Sequence, residues 1–167
     1  MYQLKPITQD GVPAALARAE RYRLLNEPEA AESICLDVLL LVPDNQEALI
    51  DLLLARTDLI SRGIGGAVAR AREVLPRLKE EYDRAYYAGI MNERRGHAQL
   101  LSPSIGASAL AYDWFHEAMG CFERAEAIRP AGNDDAVLRW NSCARVLNAH
   151  PEMAPRHDER AEVVLDD

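Results

Sequence analysis

The sequence predicts an all-α fold, built as a stack of helical hairpins, on two observations. The first is a repeated pattern of a small residue, an apolar residue four positions on, another three further and a proline five further. The second is that no segment alternates apolar and polar residues well enough to predict a strand. Small residues at helix crossings and prolines just past helix ends are typical of stacked hairpins. The two copies, 87 residues apart, are Ala31, Cys35, Val38 and Pro43, and Ala118, Phe122, Ala125 and Pro130.

Apolar periodicity and the placement of Pro, Gly, Asn and Asp predict about seven helices. Asp44 or Asn45, and later Asn133 or Asp134, are the predicted N-caps of the third and last helices. Pro76 either ends the fourth helix or kinks a longer one, because proline disfavours the helical conformation of the residue before it. The predicted helices cover about 12–26, 28–41, 45–61, 67–75, 80–101, 108–128 and 134–148.

The length of 167 residues predicts one compact domain. We place this domain at residues 1–150 and a charged, proline-containing tail at 151–167. The tail contains the apolar run Val163–Leu165 followed by two aspartates. We expect this run to dock on its own domain or on a neighbouring copy, where it would compete with partners.

Charge and composition exclude several classes of function. The formal net charge of −8 argues against nucleic acid as a partner, because binding nucleic acid requires clustered positive charge. No apolar run approaches the roughly 20 residues that cross a bilayer, and the N-terminus does not resemble a signal peptide. The cysteines, Cys35, Cys121 and Cys143, are odd in number and form no CxxC motif. They predict reduced core thiols in a cytoplasmic protein.

The repeat residues resemble the signature of the tetratricopeptide repeat. Ala118, Phe122, Ala125 and Pro130 match it fully, whereas the first copy has Cys35 in the aromatic position. The period of that family is about 34 residues, so the offset of 87 is two periods plus about 19 residues. The stretch 46–78 matches poorly and is assigned by position only. The chain also resembles small bacterial proteins built from such repeats.

The resemblance implies a right-handed stack of about three hairpins, a TPR-like superhelix, closed by a C-terminal capping helix. It also implies a non-catalytic module that binds a peptide or a helix of another protein in the concave groove lined by the first helix of each hairpin. On the fifth helix, Tyr86 is an alternative to Tyr87 one register position away. The groove residues so implied are Glu20, Arg23, Glu47, Ile50, Leu54, Asp58, Asp83, Tyr87, Ile90, Arg94, Asn141 and Arg145.

The segment Asn92–His97 is the densest polar cluster inside a predicted helix. Arg94 and Arg95 point to different sides of that helix, and they either contact an external carboxylate or form internal ion pairs. Gly96 indicates a close helix contact or a bend. Trp114 and Trp140 are expected to anchor their helices in the core.

Two alternatives of other classes remain open. One is a dedicated chaperone for a secreted partner, and the other is an enzyme whose site gathers Arg94, Arg95, His97 and Glu117. The sequence has no nucleophile elbow, no phosphate-binding glycine loop and no metal-ligand spacing. We therefore expect no catalytic residue, no cofactor and no metal. The expected partner is another protein or peptide rather than nucleic acid or a membrane, and a homodimer is left open.

Overall fold

The computed structural model describes residues 2–155, which are all-helical and contain no strand, so the predicted all-α class is confirmed. Three short 3₁₀ turns, Gln9–Gly11, Leu75–Arg77 and Pro151–Met153, flank or connect the helices. The seven α-helices in this part of the chain are α1 (Val12–Leu24), α2 (Pro28–Leu41), α3 (Gln46–Ser61), α4 (Ala67–Arg72), α5 (Glu81–Leu100), α6 (Ala107–Ala127) and α7 (Asp135–Ala149).

Local signals account for the helix boundaries that the sequence predicted closely. Pro28 occupies the first position of α2, where a missing N–H group does no harm. The Asn45 side chain accepts a 2.9 Å hydrogen bond from the backbone N–H of Ala48 and so caps α3. The Asn133 side chain likewise accepts a 2.9 Å bond from the N–H of Asp135 at the start of α7.

Two predicted helix ends were wrong. The first helix ends at Leu24 instead of continuing to Asn26, which has a φ of 62° and leaves the helical conformation. The fourth helix was expected to reach Leu75 but ends at Arg72. Pro76 neither ends nor kinks it, since Pro76 lies in the separate 3₁₀ turn Leu75–Arg77. The second hairpin is therefore shorter than the other two.

The helices pack in an alternating order. Each helix contacts the next along the chain, and α1 contacts α3, α3 contacts α5 and α5 contacts α7. This order brings the first helices of successive hairpins together on one side, which is the arrangement that stacked hairpins require. Within the described residues no helix combines the length and the apolar character needed to cross a membrane.

The repeat residues are core residues. In each copy the small residue and the two apolar residues of the repeated pattern have no exposed surface, whereas both prolines are exposed. One core cluster joins α1, α2 and α3, and a second joins α5, α6 and α7. A small cluster that includes Ile60, Ala71 and Met91 connects α3, α4 and α5.

The packed domain extends slightly into the segment that we assigned to the tail. Met153 is 2% exposed and belongs to the second core cluster. The division at residue 150 stays a prediction, but the 3₁₀ turn Pro151–Met153 packs with α6 and α7. The predicted docking of Val163–Leu165 lies outside the described residues.

Candidate functional site

Three of the predicted groove residues meet across three helices. Asp58 of α3 forms a 3.2 Å ion pair with Arg23 of α1 and a 3.3 Å ion pair with Arg94 of α5. The Asp58 carboxylate, whose side chain is 19% exposed, thus bridges the two guanidinium groups. The surface of α1, α3 and α5 that carries Arg23, Asp51, Asp58, Tyr87 and Arg94 is named here the alternate-helix face.

The ion pairs decide between the two predicted roles of the arginines on α5. Arg94 forms an internal ion pair with Asp58. Arg95 points to another side of α5, as expected, and its guanidinium stacks 3.1 Å from the ring centroid of Trp114. Arg94 therefore belongs to an internal ion network, in which it shares the Asp58 carboxylate with Arg23.

One end of the alternate-helix face is acidic. Asp51 of α3 lies close enough to Glu47 and Glu20 for their charges to affect its titration. Burial, reinforced by these two carboxylates and opposed by Arg23, raises the pKa of Asp51 to about 6. Glu20, Glu47, Asp51 and Asp83 make up this acidic end.

Tyr87 lies between α3 and α5 at the acidic end. Its ring packs against both large core clusters, and the charges of Asp83 and Asp51 reach its hydroxyl group. Burial, followed by these carboxylates, raises the pKa of Tyr87, so the phenol stays protonated and can donate a hydrogen bond. The pKa of Asp83 is also raised, by burial and by Glu80.

Other predicted groove residues contribute less to an accessible surface. Ile50 and Leu54 are half-buried and pack against the core clusters. Ile90 is 2% exposed, so it supports the face from beneath and does not fit the expectation that it lines the groove. Glu20 and Glu47 are exposed.

The predicted site residues on α7, Asn141 and Arg145, do not lie on the side of that helix that contacts α5. Arg139 reaches across from α7 to Glu93 at 3.4 Å. Asn141 is half-buried and Arg145 is exposed. Both lie roughly 120–160° around the helix from Arg139 at 3.6 residues per turn. The side of α7 that meets α5 is therefore the side of Arg139.

Sequence reasoning missed the cluster around Glu93. This carboxylate is 3% exposed and lies between Arg139 and His97, whose Nε2 atom is 3.9 Å away. The pKa of His97 is lowered, because burial outweighs the attraction of Glu93. No local signal could have found the Glu93–Arg139 pair, since the two residues are 46 positions apart.

Asp51, by contrast, had a signal in the sequence. Glu47, Asp51, Leu54 and Asp58 follow the spacing i, i+4, i+7, i+11, the same spacing that selected Asp83, Tyr87, Ile90 and Arg94 on α5. The family-based register selected Ile50 instead. Applying the α5 spacing to α3 would have identified Asp51.

The side chains that the enzyme alternative would bring together have separate partners. Arg94 pairs with Asp58, Arg95 stacks on Trp114, and His97 lies 5.0 Å from the Phe115 ring centroid. Glu117 is exposed on α6.

The three cysteines are buried and free. Burial raises the pKa of Cys35 and of Cys143 to about 12, so neither is a thiolate nucleophile at neutral pH. In the part of the chain that is described, no three His, Cys, Asp or Glu side chains gather as metal ligands.

The tryptophans are half-buried. Trp140 packs with the second core cluster and donates a 3.0 Å hydrogen bond from Nε1 to Glu123 on α6. This contact anchors α7 on the helix before it, as expected. Trp114 contacts α5 through the Arg95 stack.

The fold and this face define an all-α protein whose alternate helices share one charged surface. Comparisons of the chain with protein-family models, curated proteins and solved structures found no match. The functional argument therefore rests on the geometry and charge of that surface.

Proposed function

We propose that this protein is a non-catalytic interaction module that holds a peptide or a helix of another protein along the alternate-helix face. The single observation that supports it best is the Arg23–Asp58–Arg94 network, because it joins residues of three successive first helices. A surface formed by several helices can contact an extended ligand along its length. This is the use that the resemblance to tetratricopeptide repeats implies.

The charge of the face suggests the chemistry of the ligand. Asp58 pairs with both Arg23 and Arg94, whereas Glu20, Glu47, Asp51 and Asp83 form a separate acidic end. A segment with lysine or arginine next to apolar residues would complement this end and Tyr87. Such charges would mainly raise the association rate and fix the register of binding.

The same proposal places the protein in a bacterial cytoplasm. Three free and buried thiols suit a reducing compartment, where disulfides seldom persist.

Affinity capture with paired charge variants tests the proposal. The double variant Glu20→Lys, Glu47→Lys reverses two exposed charges at the acidic end, and Asp113→Lys, Glu117→Lys reverses two exposed charges on α6. We expect the first variant to lose proteins that the wild type retains from extracts of the source organism, as identified by mass spectrometry. The α6 variant should retain them.

Circular dichroism and melting temperature establish that both variants are folded. Identical retained proteins for the wild type and the acidic-end variant would contradict the proposal. Arg94 is not a suitable position for charge reversal, because Arg94→Glu would oppose Asp58 and disturb the ion network.

A further inference from the structure

A cleft at the other side of α5 joins an apolar surface to an arginine. It has a volume of about 470 Å³ and lies between the loop after α3, the start of α4, the second half of α5 and α6. Its apolar surface comes from Ile60, Val68, Ala98 and Trp114, and its polar groups include Arg95 and Gln99. This volume falls in the range of about 300–1,000 Å³ that is typical of small-ligand sites.

Arg95 is held in this cleft without a counter-charge. Its guanidinium covers the Trp114 ring at 3.1 Å from the centroid, an arrangement that fixes its position. Among residues 2–155 no carboxylate lies within ion-pairing distance of Arg95 or of Arg72 on α4. The adjacent Arg94, by contrast, is paired with Asp58.

The surroundings of Arg95 disfavour its charge. Burial, with a further contribution from the nearby Arg72, lowers the pKa of Arg95. A partly desolvated cation next to a like charge is destabilised, and a bound anion would relieve both effects. Among the described residues, Arg95 is thus an unpaired arginine beside apolar side chains in a cleft of a chain whose net charge is −8.

We propose that this cleft binds a carboxylate attached to an apolar body, with the carboxylate at Arg95 and the body against Ile60, Val68 and Trp114. Arginine suits this role because its planar fork donates two parallel hydrogen bonds to a carboxylate. A free organic acid and the C-terminus of a peptide share this chemistry. The site is separate from the alternate-helix face. Evidence for or against binding in the cleft therefore does not bear on the proposed function.

Matched ligands with and without the charge test the site. Octanoate is compared with octanol, and the acetylated tripeptide Gly-Val-Leu with a free C-terminus is compared with its amide. Fluorescence is followed in a Trp140→Phe background, in which Trp114 is the remaining tryptophan. We expect saturable binding of octanoate, of the peptide acid, or of both, and at least about tenfold weaker binding of the uncharged analogues. Whichever acid binds more tightly identifies the source of the carboxylate.

Three variants locate the ligand. Arg95→Gln should raise the Kd at least about tenfold, because it removes the charged donor. Arg94→Gln, which alters the neighbouring paired arginine, should leave the Kd unchanged. Ile64→Asp adds a negative charge to a cleft residue that is 45% exposed and should also weaken binding without unfolding the chain.

Equal binding of the acids and their uncharged analogues would overturn the proposal. So would a Kd that neither Arg95→Gln nor Ile64→Asp changes, or the absence of saturable binding by either acid.

Discussion

Gly89 of α5 lies directly against the ring of Phe122 of α6. A Cβ atom built on Gly89 would lie 2.7 Å from Cδ1 of Phe122, which is closer than real Cβ atoms approach another side chain. Seven residues further along α5, Gly96 faces Phe115 in the same way, with ring atoms 3.0 Å from its would-be Cβ. The two glycines let α5 and α6 approach closely. Of the two interpretations of Gly96, a close helix contact or a bend, the structure shows the contact, and it adds a second one at Gly89.

Gly89→Ala should therefore destabilise the protein, although alanine is the better helix former. We expect a loss of about 1–3 kcal/mol from overpacking against Phe122, measured by urea unfolding. Gly120→Ala on α6 is the matched control, because its nearest neighbour is the flexible end of Arg124 at 3.9 Å. The control should gain up to about 1 kcal/mol of helix propensity. Similar gains for both variants would show that α5 and α6 are not in close contact at Gly89.

Ala118→Leu tests the repeat alignment at a second position. Ala118 has no exposed surface, so three additional carbon atoms should overpack the core and lower stability by about 1–3 kcal/mol. Ala127→Leu, at an exposed position of the same helix, should be nearly neutral. Thermal melts monitored by circular dichroism give the comparison. An unchanged melting temperature for Ala118→Leu would mean that the repeat residue is not at a helix contact.

Asp51 should make stability depend on pH. Folding raises its pKa from an ordinary value of 3.8 to about 6, so the folded state binds more protons than the unfolded state between these values. This contribution therefore lowers stability as pH rises from about 4 to about 6, and it is constant above that range. Asp51→Asn removes the buried charge and should be more stable than the wild type at pH 7.5 by about 1–3 kcal/mol.

Urea unfolding of both proteins across pH 4–8 measures this effect. The advantage of Asp51→Asn should grow between about pH 4 and 6 and then level off. Asp113→Asn, at an exposed position on α6, controls for the loss of one carboxylate. An advantage that does not change with pH would refute the assigned cause.

Asp58→Asn should destabilise the alternate-helix face more than an ordinary surface substitution. It leaves Arg23 and Arg94 facing each other without the carboxylate that now bridges them. Hydrogen bonds between charged groups contribute about 1.5–3 kcal/mol each, so a loss of about that size is expected. The same Asp113→Asn control should change stability by less than about 0.5 kcal/mol. Equal effects of the two substitutions would show that the Asp58 bridge contributes nothing to stability.

Much of the helical framework could be predicted because strong local signals mark its ends. Pro28 and Asn45 fix the starts of α2 and α3, and both bounds of each helix agree with the prediction to within one residue. The end of α4 could not be predicted from a local signal of this kind. Ala67–Leu75 has continuous helical character, and only the packing around Val74 and Leu78 shows where the helix gives way to a turn.

Individual residues of the candidate site could be predicted from the sequence, but the pattern of paired and unpaired charges among them could not. Arg23, Asp58 and Arg94 are all expected at the groove, yet their pairing with one another depends on how the three helices are placed. The same holds for Glu93 and Arg139, whose contact spans two helices far apart in sequence. Periodicity identifies the side of a helix on which a charge lies, whereas tertiary packing determines which charges remain unpaired.

Site-specific photo-cross-linking tests most directly whether the alternate-helix face binds another protein. Benzoylphenylalanine is placed at Glu47 on α3 or, as a control, at Glu117 on α6, both exposed positions, and cells of the source organism are irradiated. We predict a light-dependent adduct of defined mass from position 47 and none from position 117. The Glu20→Lys substitution should reduce the adduct from position 47. Adducts from position 117 alone, or of equal yield from both positions, would contradict binding at this face.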